Sequence, residues 1–481
     1  MSTYIKNSLF TTYSNDTRDL VNAFYPGTVY TQDETGADFV VDIDSLKGAF
    51  EGQPERFDDK TEYKRALYRM LSGLSGRELP WGTLTGIRPV RIIEILKARG
   101  LDREQINAQL RDRFLISGEK RKLLWSIASK EQQLMDGIDY RNGISLYIGI
   151  PFCPTRCLYC SFTSNPVGEW QDRTDMYLDC LLRELKLLSE GELSDREGFD
   201  WSAVRTVYVG GGTPTALTAK QLDRLLEAVN ESLERAGSSP AEFTVEAGRP
   251  DSITADKLRV LKERGVSRIS VNPQTFNRRT LELIGRRHTV EETVQAYELA
   301  RRLGFDNINM DLIMGLPGED INDVRYSLDR ISELAPDSLT VHTLAVKRAS
   351  RLNIEGKAWG GVERKGSRSD AAEAEEIADM TRLGAECAAR LGMEPYYIYR
   401  QKNMAGNQEN VGYAMPGKEC LYNILMMEEK HSVYGVGAGS STKLVTRKRR
   451  ESGETEQITV KRTETVKNIA DYMIYTGEKI R

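Results

Sequence analysis

The sequence has 481 residues, of which 40% are hydrophobic and 29% are charged, values typical of globular proteins and not of disordered chains. A chain of this length predicts two or three domains, because single hydrophobic cores stop growing at smaller sizes. The 67 basic and 71 acidic residues nearly cancel, so no overall field favours nucleic acid, and an anionic ligand would need a local basic patch.

The N-terminal stretch MSTYIKNSLFTTYSNDTRD lacks the basic start and the apolar run of a signal peptide. No later segment has the roughly 20 apolar residues needed to span a bilayer. We therefore expect a cytoplasmic protein. Six cysteines are too few for a disulfide scaffold in so long a chain. Three of them nevertheless lie close together, which indicates a chemical role.

Residues 1–140 are predicted to form a separate N-terminal α/β domain, with a mixed segment to about Val41 followed by helices. Apolar residues recur at helical spacing in residues 63–74, 90–98 and 120–135. Glycine and proline punctuate the loop at residues 81–89. We interpret this loop as a packed interdomain turn, with contact to a ligand as the alternative.

From residue 145 onward, six short apolar runs alternate with helical stretches, the pattern of repeated strand–helix units around a parallel sheet. The runs cover residues 145–150, 204–209, 243–247, 268–272, 308–314 and 338–344. Helices are predicted between them at residues 220–236, 255–264, 290–303 and 322–334. Functional side chains in such folds gather beyond the carboxyl ends of the strands.

Residues 346–481 are predicted to form a C-terminal α+β cap. A helix is expected from about residue 370 to 391, followed by a tyrosine-rich segment at residues 396–400. The glycine-rich run at residues 435–441 then leads into a predicted hairpin, in which residues 442–446 pair with residues 457–460.

Three cysteines follow the first predicted strand with the spacing C-x3-C-x2-C, at Cys153, Cys157 and Cys160. Closely spaced thiolates in a loop bind a soft metal centre, either zinc or an iron-sulfur cluster. A 4Fe-4S cube held by three thiolates leaves one iron open to a further ligand. The alternatives are buried structural cysteines, or a zinc site completed by a histidine or by Cys180, Cys387 or Cys420. The position directly after the first strand favours the cluster.

Further motifs follow the cysteines in a fixed order. They read YIGIPFC at residues 147–153, GGGTPT at 210–215, EA at 246–247, QTF at 274–276, IGRRHT at 284–289 and DLIMGLPG at 311–318. With these motifs the chain resembles radical S-adenosylmethionine enzymes, and within them the oxygen-independent coproporphyrinogen III dehydrogenase family of the HemZ type. The resemblance covers residues 145–345, and the segments at 406–413 and 435–441 also match the type.

The resemblance implies an α/β fold, with a partial (β/α)6 radical-SAM barrel in residues 141–345 between the N-terminal domain and the cap. It implies a 4Fe-4S cluster on the three cysteines and S-adenosylmethionine as the second cofactor. The implied S-adenosylmethionine contacts are Tyr147, Tyr159, Gly211, Gly212, Thr213, Glu246, Gln274, Arg286 and Asp311. For Glu246 and Asp311 the alternative is a salt bridge to a neighbouring Arg or Lys, because a carboxylate among apolar residues needs a partner.

The activity implied by the resemblance is the oxidative decarboxylation of coproporphyrinogen III to protoporphyrinogen IX in heme biosynthesis. The implied partners are this tetracarboxylate and a small reducing electron-transfer protein, with no nucleic acid and no membrane span. A basic cluster offers contacts for the propionates, or alternatively forms a solvated helix face with one functional arginine. Its members are Arg278, Arg279, Arg286, Arg287 and His288.

The chain departs from the family pattern at two places. Gly149 stands where relatives usually have His, and Ser161-Phe162 replaces a further cysteine that some coproporphyrinogen dehydrogenases carry. Because the further cysteine is missing, Tyr159 is the candidate contact for any second S-adenosylmethionine.

The related heme-chaperone branch shares the Cys-x-Phe sequence at the end of the cysteine motif, residues 160–162 here. It provides the alternative function, heme trafficking. It typically carries a His-Asn-x-x-Tyr-Trp element, whereas residues 420–427 read CLYNILMM here, without the His or the Trp.

A nucleic-acid-modifying enzyme is a further alternative, with a basic strip near a predicted turn. The strip lacks interleaved aromatic residues and consists of Lys443, Arg447, Lys448, Arg449 and Arg450.

Overall fold

The computed structural model describes residues 2–6, 13–26, 28–49, 60–86, 88–138, 140–345, 370–401, 404–448 and 457–478. Its contacts group the chain into two units. One comprises Met1–Ser129, Arg368–Ala378 and Ile398–Glu409, and the other comprises Lys130–Ser367, Asp379–Tyr397 and Asn410–Arg481. The three-part division of the chain at residues 140 and 345 stays a prediction.

The first unit contains a small parallel sheet and a series of helices. The strands are β1 (Ser2–Lys6), β2 (Val29–Thr31) and β3 (Phe39–Asp42), in the order β2-β1-β3. The helices of this part of the chain are α1 (Ser14–Phe24), α2 (Lys60–Ser75), α3 (Arg91–Ala98), α4 (Arg103–Ala108) and α5 (Gly118–Asp136). Tyr63, Leu67 and Leu71 recur every four residues on α2 and form one buried stripe of the core. The predicted helices at residues 63–74, 90–98 and 120–135 are confirmed.

The loop at residues 81–89 is held within the first unit, and its residue 87 lies outside the described residues. Glu409 accepts hydrogen bonds from the Trp81 indole at 2.8 Å and from the Lys120 ammonium at 2.7 Å. The Arg400 guanidinium lies 5.1 Å from the centre of the Trp81 ring. Trp81 is fully buried. These contacts support a packed turn, but all of them lie within the first unit, so they give no support to the predicted position between two domains.

The second unit begins with a series of parallel strands. They are β4 (Ile144–Ile150), the short pair β5 (Phe152–Cys153) and β6 (Asn165–Pro166), then β7 (Val204–Gly211), β8 (Glu242–Gly248), β9 (Arg268–Val271), β10 (Ile308–Met314) and β11 (Ser338–Thr343). Strands β4 and β7 to β11 lie side by side in chain order, all parallel. The six predicted strands and the α/β fold class are therefore confirmed.

Helices connect these strands. They are α6 (Thr174–Ser189), α7 (Ala219–Arg235), α8 (Ala255–Glu263), α9 (Arg278–Leu283), α10 (Val290–Arg302) and α11 (Ile321–Leu334). Capping boxes at Thr218, Thr289 and Asp320 begin α7, α10 and α11, because each side chain accepts from a free backbone N–H of the first turn. The four helices predicted between the strands are confirmed.

The remaining elements extend the same sheet on both sides. They are α12 (Asp370–Arg390), β12 (Glu394–Tyr399), β13 (Asn410–Ala414), α13 (Leu421–Met427), β14 (Ser432–Val436), β15 (Ser441–Lys448), β16 (Gln457–Glu464) and α14 (Ile469–Glu478). Strand β13 pairs antiparallel with β11, whereas β14 pairs parallel with β4. The predicted hairpin is confirmed as β15 and β16. The full order is β12-β13-β11-β10-β9-β8-β7-β4-β14-β15-β16. In the described ranges, no helix is long and apolar enough to cross a membrane.

Candidate functional site

The three cysteines lie on a loop, here called the cysteine loop (residues 153–160), that is held on two sides by backbone hydrogen bonds. On one side, the Gly212 and Thr213 amides donate to Ile150 and Phe152, each at 2.7 Å. On the other side, the Leu158 amide donates to the Ile284 carbonyl at 2.9 Å. The loop is therefore positioned by the segments that follow β7 and α9.

The thiols of the cysteine loop lie in a partly polar environment. The Thr213 hydroxyl donates to the Cys153 sulfur at 3.4 Å, and Arg249 donates to the Cys157 sulfur at 3.7 Å. Burial raises the pKa of the Cys153 thiol to about 11, although the Thr213 hydrogen bond opposes this effect. Burial also raises the pKa of Cys160. Metal binding must therefore displace protons here, as thiolate ligation requires.

The remaining cysteines have partners elsewhere in the fold. Cys180 lies 3.8 Å from the Met473 carbonyl oxygen, and Cys387 lies 3.4 Å from the Ser332 hydroxyl. Among the described residues, no group of three or more His, Cys, Asp or Glu side chains is close enough to hold a single metal ion. In a cubane each thiolate binds a separate iron, so the three sulfurs need not meet at one point. The cysteine loop, with three thiols in one short segment and donors to two of their sulfurs, fits the donor set of an iron-sulfur cluster.

The glycine run after β7 packs against the cysteine loop. A Cβ atom at Gly212 would lie 2.5 Å from the Phe152 carbonyl oxygen and 2.9 Å from that of Ile150. Gly211 has φ of +108°, and a Cβ there would lie 3.3 Å from the Tyr147 hydroxyl. Glycine at position 212 is therefore required by the approach of the Ile150 and Phe152 backbone, and a Cβ atom at Gly211 would lie against both the Ile150 backbone, at 3.2 Å, and Tyr147.

Glu246 lies on β8 and is paired with a phenol. The Tyr208 hydroxyl donates to its Oε1 atom. Burial raises the pKa of Glu246 to about 7, the Tyr208 hydrogen bond opposes this rise, and the nearby Asp311 charge adds to it. A half-protonated buried acid is suited to a cationic ligand, because such a ligand would offset the cost of burying the carboxylate.

Asp311 lies on β10 and has three polar neighbours, Asn309, His342 and Thr340. The Asn309 amide donates to Oδ1 at 2.7 Å, and the His342 Nε2 atom lies 3.5 Å from Oδ2. Burial alone would raise the pKa of Asp311, but His342 and Asn309 outweigh it and lower this pKa below its usual value. Asp311 is therefore held as an oriented carboxylate by a histidine that the sequence analysis did not single out.

Gln274, after β9, has a strained backbone and an unsatisfied side chain. Its φ is +68°, and its amide Oε1 is buried without a hydrogen-bond partner among the described residues. The backbone is fixed to β10, since Gln274 N donates to the Asp311 carbonyl at 2.9 Å and its own carbonyl accepts from Ile313 N at 3.0 Å. A left-handed non-glycine residue with a buried, unpaired acceptor indicates a ligand contact.

Three tyrosines form a stack beside these acids. The ring centres of Tyr147 and Tyr208 are 6.1 Å apart, and those of Tyr208 and Tyr422 are 4.4 Å apart. Tyr147 and Tyr208 are directly paired on β4 and β7, and Tyr422 comes from α13. Neither Tyr208 nor Tyr422 was predicted. The available sequence signal for Tyr208 was its position in the second predicted strand, which matches the position of Tyr147 in the first.

The contacts described above link five of the predicted residues into one site. We refer to it as the sheet site, formed by Tyr147, Gly211, Glu246, Gln274 and Asp311.

Arg286 and Tyr159 lie on the side of the cysteine loop that faces α9. Arg286 is buried, donates to the Asn272 carbonyl and lies beside Cys157. Burial alone would lower the pKa of Arg286, but Tyr159 and Cys157 outweigh it and raise this pKa. Tyr159 packs against an apolar cluster that includes Ile284.

A cleft of about 750 Å³ opens beside the cysteine loop, here called the arginine cleft. Its walls are Pro154, Thr155, Arg156, Pro166, Gly168, Glu169, Arg278, Glu282, Gly285, Arg286, Arg287, His288 and Thr289. Four members of the predicted basic cluster line it, and Arg279 is not among the lining residues.

The departure at Gly149 has a structural explanation. A Cβ atom there would lie 3.3 Å from the Val436 carbonyl oxygen on β14 and 3.7 Å from the Ser440 side chain. The Gly149 carbonyl accepts a hydrogen bond from Tyr177 at 2.7 Å. In this chain β14 and the glycine-rich run after it therefore occupy the space beside Gly149.

Comparisons with known proteins agree with this geometry. A family model described as the radical SAM superfamily matches residues 147–331. The oxygen-independent coproporphyrinogen-III oxidase-like protein HemZ of Bacillus subtilis is 41% identical over 379 residues, covering 79% of this chain and 72% of that protein. The heme chaperone HemW of the same organism is 37% identical over 209 residues, covering 42% and 51%.

A solved structure has the same fold. It is titled "Coproporphyrinogen III oxidase (HemN) from Escherichia coli is a Radical SAM enzyme." and aligns with a TM-score of 0.51 at 21% identity, covering 72% of this chain and 73% of that one. The fold and the cysteine loop thus define a radical SAM protein, a class that uses a 4Fe-4S cluster and S-adenosylmethionine.

Within this class, the chain belongs to the family of oxygen-independent coproporphyrinogen-III oxidase-like proteins. The resemblance, the fold class and the two cofactors expected from the sequence are confirmed. Which residues bind the cofactors stays a prediction.

Proposed function

We propose that this chain is an oxygen-independent coproporphyrinogen III dehydrogenase, which converts two propionates of its substrate to vinyl groups and yields protoporphyrinogen IX. The proposal rests on the composition of the sheet site. There Glu246 and the unpaired Gln274 amide oxygen offer a carboxylate and a hydrogen-bond acceptor to a polar, cationic cofactor. The substrate is inferred from the relatives, among them a protein named oxygen-independent coproporphyrinogen III oxidase in Escherichia coli, 34% identical over 42% of this chain and of that protein.

The proposal assigns a role toward the cofactors to several residues. Cys153, Cys157 and Cys160 would each hold one iron. Glu246 would pair with positive charge on S-adenosylmethionine, and the unpaired Gln274 oxygen would accept a hydrogen bond. The sequence predicts nine S-adenosylmethionine contacts, of which the proposal keeps Tyr147, Tyr159, Gly211, Thr213, Glu246, Gln274, Arg286 and Asp311. For the ninth, Gly212, we propose a role in backbone packing instead.

When bound and reduced, the two cofactors would supply the radical chemistry for removing hydrogen from a propionate β-carbon. Loss of carbon dioxide, with one electron passed to an acceptor, would then give the vinyl group. The protein holds the reactants and excludes water. Asn309 and His342 hold the Asp311 carboxylate in one orientation. The tyrosine stack borders the site on the side of β4 and β7. We expect the protein to work in the cytoplasm with a small reducing electron-transfer protein.

The heme-trafficking alternative requires exposed ligands for heme. In the stretch that corresponds to the chaperone element, α13 directs Tyr422 onto Tyr208 and buries Ile424, Leu425 and Met427. These side chains serve the core of the second unit, which favours the enzyme.

The nucleic-acid alternative is also disfavoured. Lys443 is buried and donates to the Met426 carbonyl at 2.7 Å, and Arg447 donates to the Glu429 carbonyl at 2.8 Å. Arg449 and Arg450 lie outside the described residues. Of the three described cations, Lys443 and Arg447 are thus used within the fold and Lys448 is exposed, so the described residues do not present a continuous phosphate-binding strip.

The test is an anaerobic assay of reconstituted protein with dithionite, S-adenosylmethionine and coproporphyrinogen III. We expect 5′-deoxyadenosine to form together with a porphyrinogen that lacks two carboxyl groups. Tight heme binding, no decarboxylated product and the same rate of 5′-deoxyadenosine release with or without coproporphyrinogen III would overturn the proposal in favour of heme trafficking.

A further inference from the structure

The arginine cleft meets the cysteine loop between two of its cysteines. Pro154, Thr155 and Arg156, which separate Cys153 from Cys157, form one wall. Arg286 also lines the cleft and contacts Cys157. A molecule in this cleft would therefore contact residues that adjoin two of the predicted cluster ligands.

The charge of the cleft is positive although the whole chain is slightly acidic. Four arginines line it against two carboxylates: Arg156, Arg278, Arg286 and Arg287 against Glu169 and Glu282. Arg278 pairs with Glu282 at 3.2 Å, but their side chains are 80% and 66% exposed. Such an exposed pair is weak and is easily exchanged for contacts with a partner. Arg287 is exposed as well.

The cleft and the sheet site are lined by different residues. None of the five residues that define the sheet site appears among the described residues that line the cleft. A substrate of the radical reaction must contact S-adenosylmethionine, which the sheet site is proposed to hold. Of the predicted S-adenosylmethionine contacts, Arg286 alone is among the described residues that line the cleft, and it is buried. The exposed Arg278 and Arg287 are not among those contacts, so a carrier that docks on them would leave the sheet site free, as an electron donor needs.

We infer that the arginine cleft is the docking site of an acidic one-electron carrier protein that reduces the cluster. The inference rests on the proposed assignment of the cluster to the cysteine loop. The step moves one electron: the carrier is oxidised by one electron, the cluster is reduced by one, and no bond is made or broken. Positive charge around the cleft would steer an acidic partner and speed its association.

The test measures cluster reduction by stopped-flow absorbance under anaerobic conditions, with a reduced flavodoxin as an acidic one-electron probe. The variants are Arg278→Glu, Arg287→Glu and the double variant. Arg302→Glu is the matched control, since Arg302 also forms an exposed pair four residues apart, with Glu298 at 3.7 Å, and lies outside the cleft lining. Iron content and reduction by dithionite verify that each variant carries an intact cluster.

We expect the wild-type second-order rate to fall as salt is raised, because salt screens exposed charges. At low salt the double variant should react at least about tenfold more slowly with the flavodoxin, with Arg302→Glu and the dithionite rate unchanged. Equal flavodoxin rates in all variants would overturn the inference. So would a raised KM for coproporphyrinogen III with an unchanged flavodoxin rate, because the cleft would then bind substrate carboxylates.

The inference and the proposed function can fail separately. If flavodoxin reduction depends on salt and on the two arginines but no decarboxylated product forms, the docking site stands and the proposed substrate is wrong.

Discussion

The sheet site and the arginine cleft lie on different sides of one cysteine loop and have opposite chemical character. The sheet site collects the half-buried carboxylates Glu246 and Asp311 with a buried, unpaired amide. The cleft collects arginines, two of them exposed. Acidic side chains suit a cationic cofactor, and arginines suit an acidic protein. The contrast indicates that cofactor and electron reach the cluster by separate routes.

The largest expected effect is the loss of the cluster itself, which both the sheet site and the arginine cleft are proposed to serve, when one of its cysteine ligands is removed. Cys157→Ala should reduce the iron content from about four per chain to near zero after anaerobic reconstitution, because one corner of the cube loses its thiolate. Iron analysis and the visible absorption spectrum measure this loss. Cys180→Ala is the control, since Cys180 lies on α6 and contacts Met473. A full cluster in Cys157→Ala would refute the assignment.

The next effect distinguishes packing from ligand contact in the glycine run. Gly212→Val should destabilise the protein by about 1–3 kcal/mol and lower its iron content, because the new side chain would meet the backbone beside Cys153. Our sequence interpretation, that Gly212 lines the cofactor, would instead leave the cluster intact. Gly73→Val serves as a control for glycine replacement, since a Cβ at Gly73 meets no atom within 4 Å. Denaturant unfolding measures the difference.

A third variant perturbs only the sheet site. Glu246→Gln should weaken S-adenosylmethionine binding about 10- to 100-fold, the loss expected for one charged hydrogen bond of about 1.5–3 kcal/mol. Equilibrium dialysis measures the affinity. The rate of cluster reduction by flavodoxin should stay unchanged, which would sharpen the separation of the two regions. Unaltered affinity would remove Glu246 from the cofactor site.

The smallest effect is a pH dependence of S-adenosylmethionine binding. The pKa of Glu246 is raised from 4.5 to about 7, so at lower pH the carboxyl group must lose a proton before it can pair with a cation. Affinity should therefore rise with pH up to about 7 and then level off. The same shift means that Glu246 lowers folding stability as pH rises from 4.5 to 7, because the folded state binds the extra proton. Glu246→Gln should abolish both dependences, and a pH profile that persists in this variant would assign them to another group.

Much of the second unit was predictable from the sequence because its signals are local. Short, mostly apolar runs such as residues 308–314 predict buried parallel strands, and the cysteine spacing predicts a soft metal centre. Both depend on residues within one short window. The same holds for α7, whose buried Leu222, Leu226 and Leu233 follow helical spacing.

Partners across the fold were not predictable in this way. Nothing near Asp311 in the sequence indicates that His342 stands beside it, because their proximity follows from the pairing of β10 with β11. Tyr422 reaches Tyr208 only because α13 packs against the sheet. The position of β14 beside β4 was likewise missed, since parallel pairing leaves no short-range signal.

The pairing of β14 with β4 has a consequence for the order of events on the ribosome. Ser432 on β14 pairs with Ile144 on β4. Strand β4, which leads into the cysteine loop, therefore lacks this neighbour until β14 has been translated. Until then that edge presents unpaired backbone groups, which favour association with other chains. Nascent chains stalled before residue 432 should therefore need chaperone protection, and metal loading should follow, not accompany, synthesis of the loop.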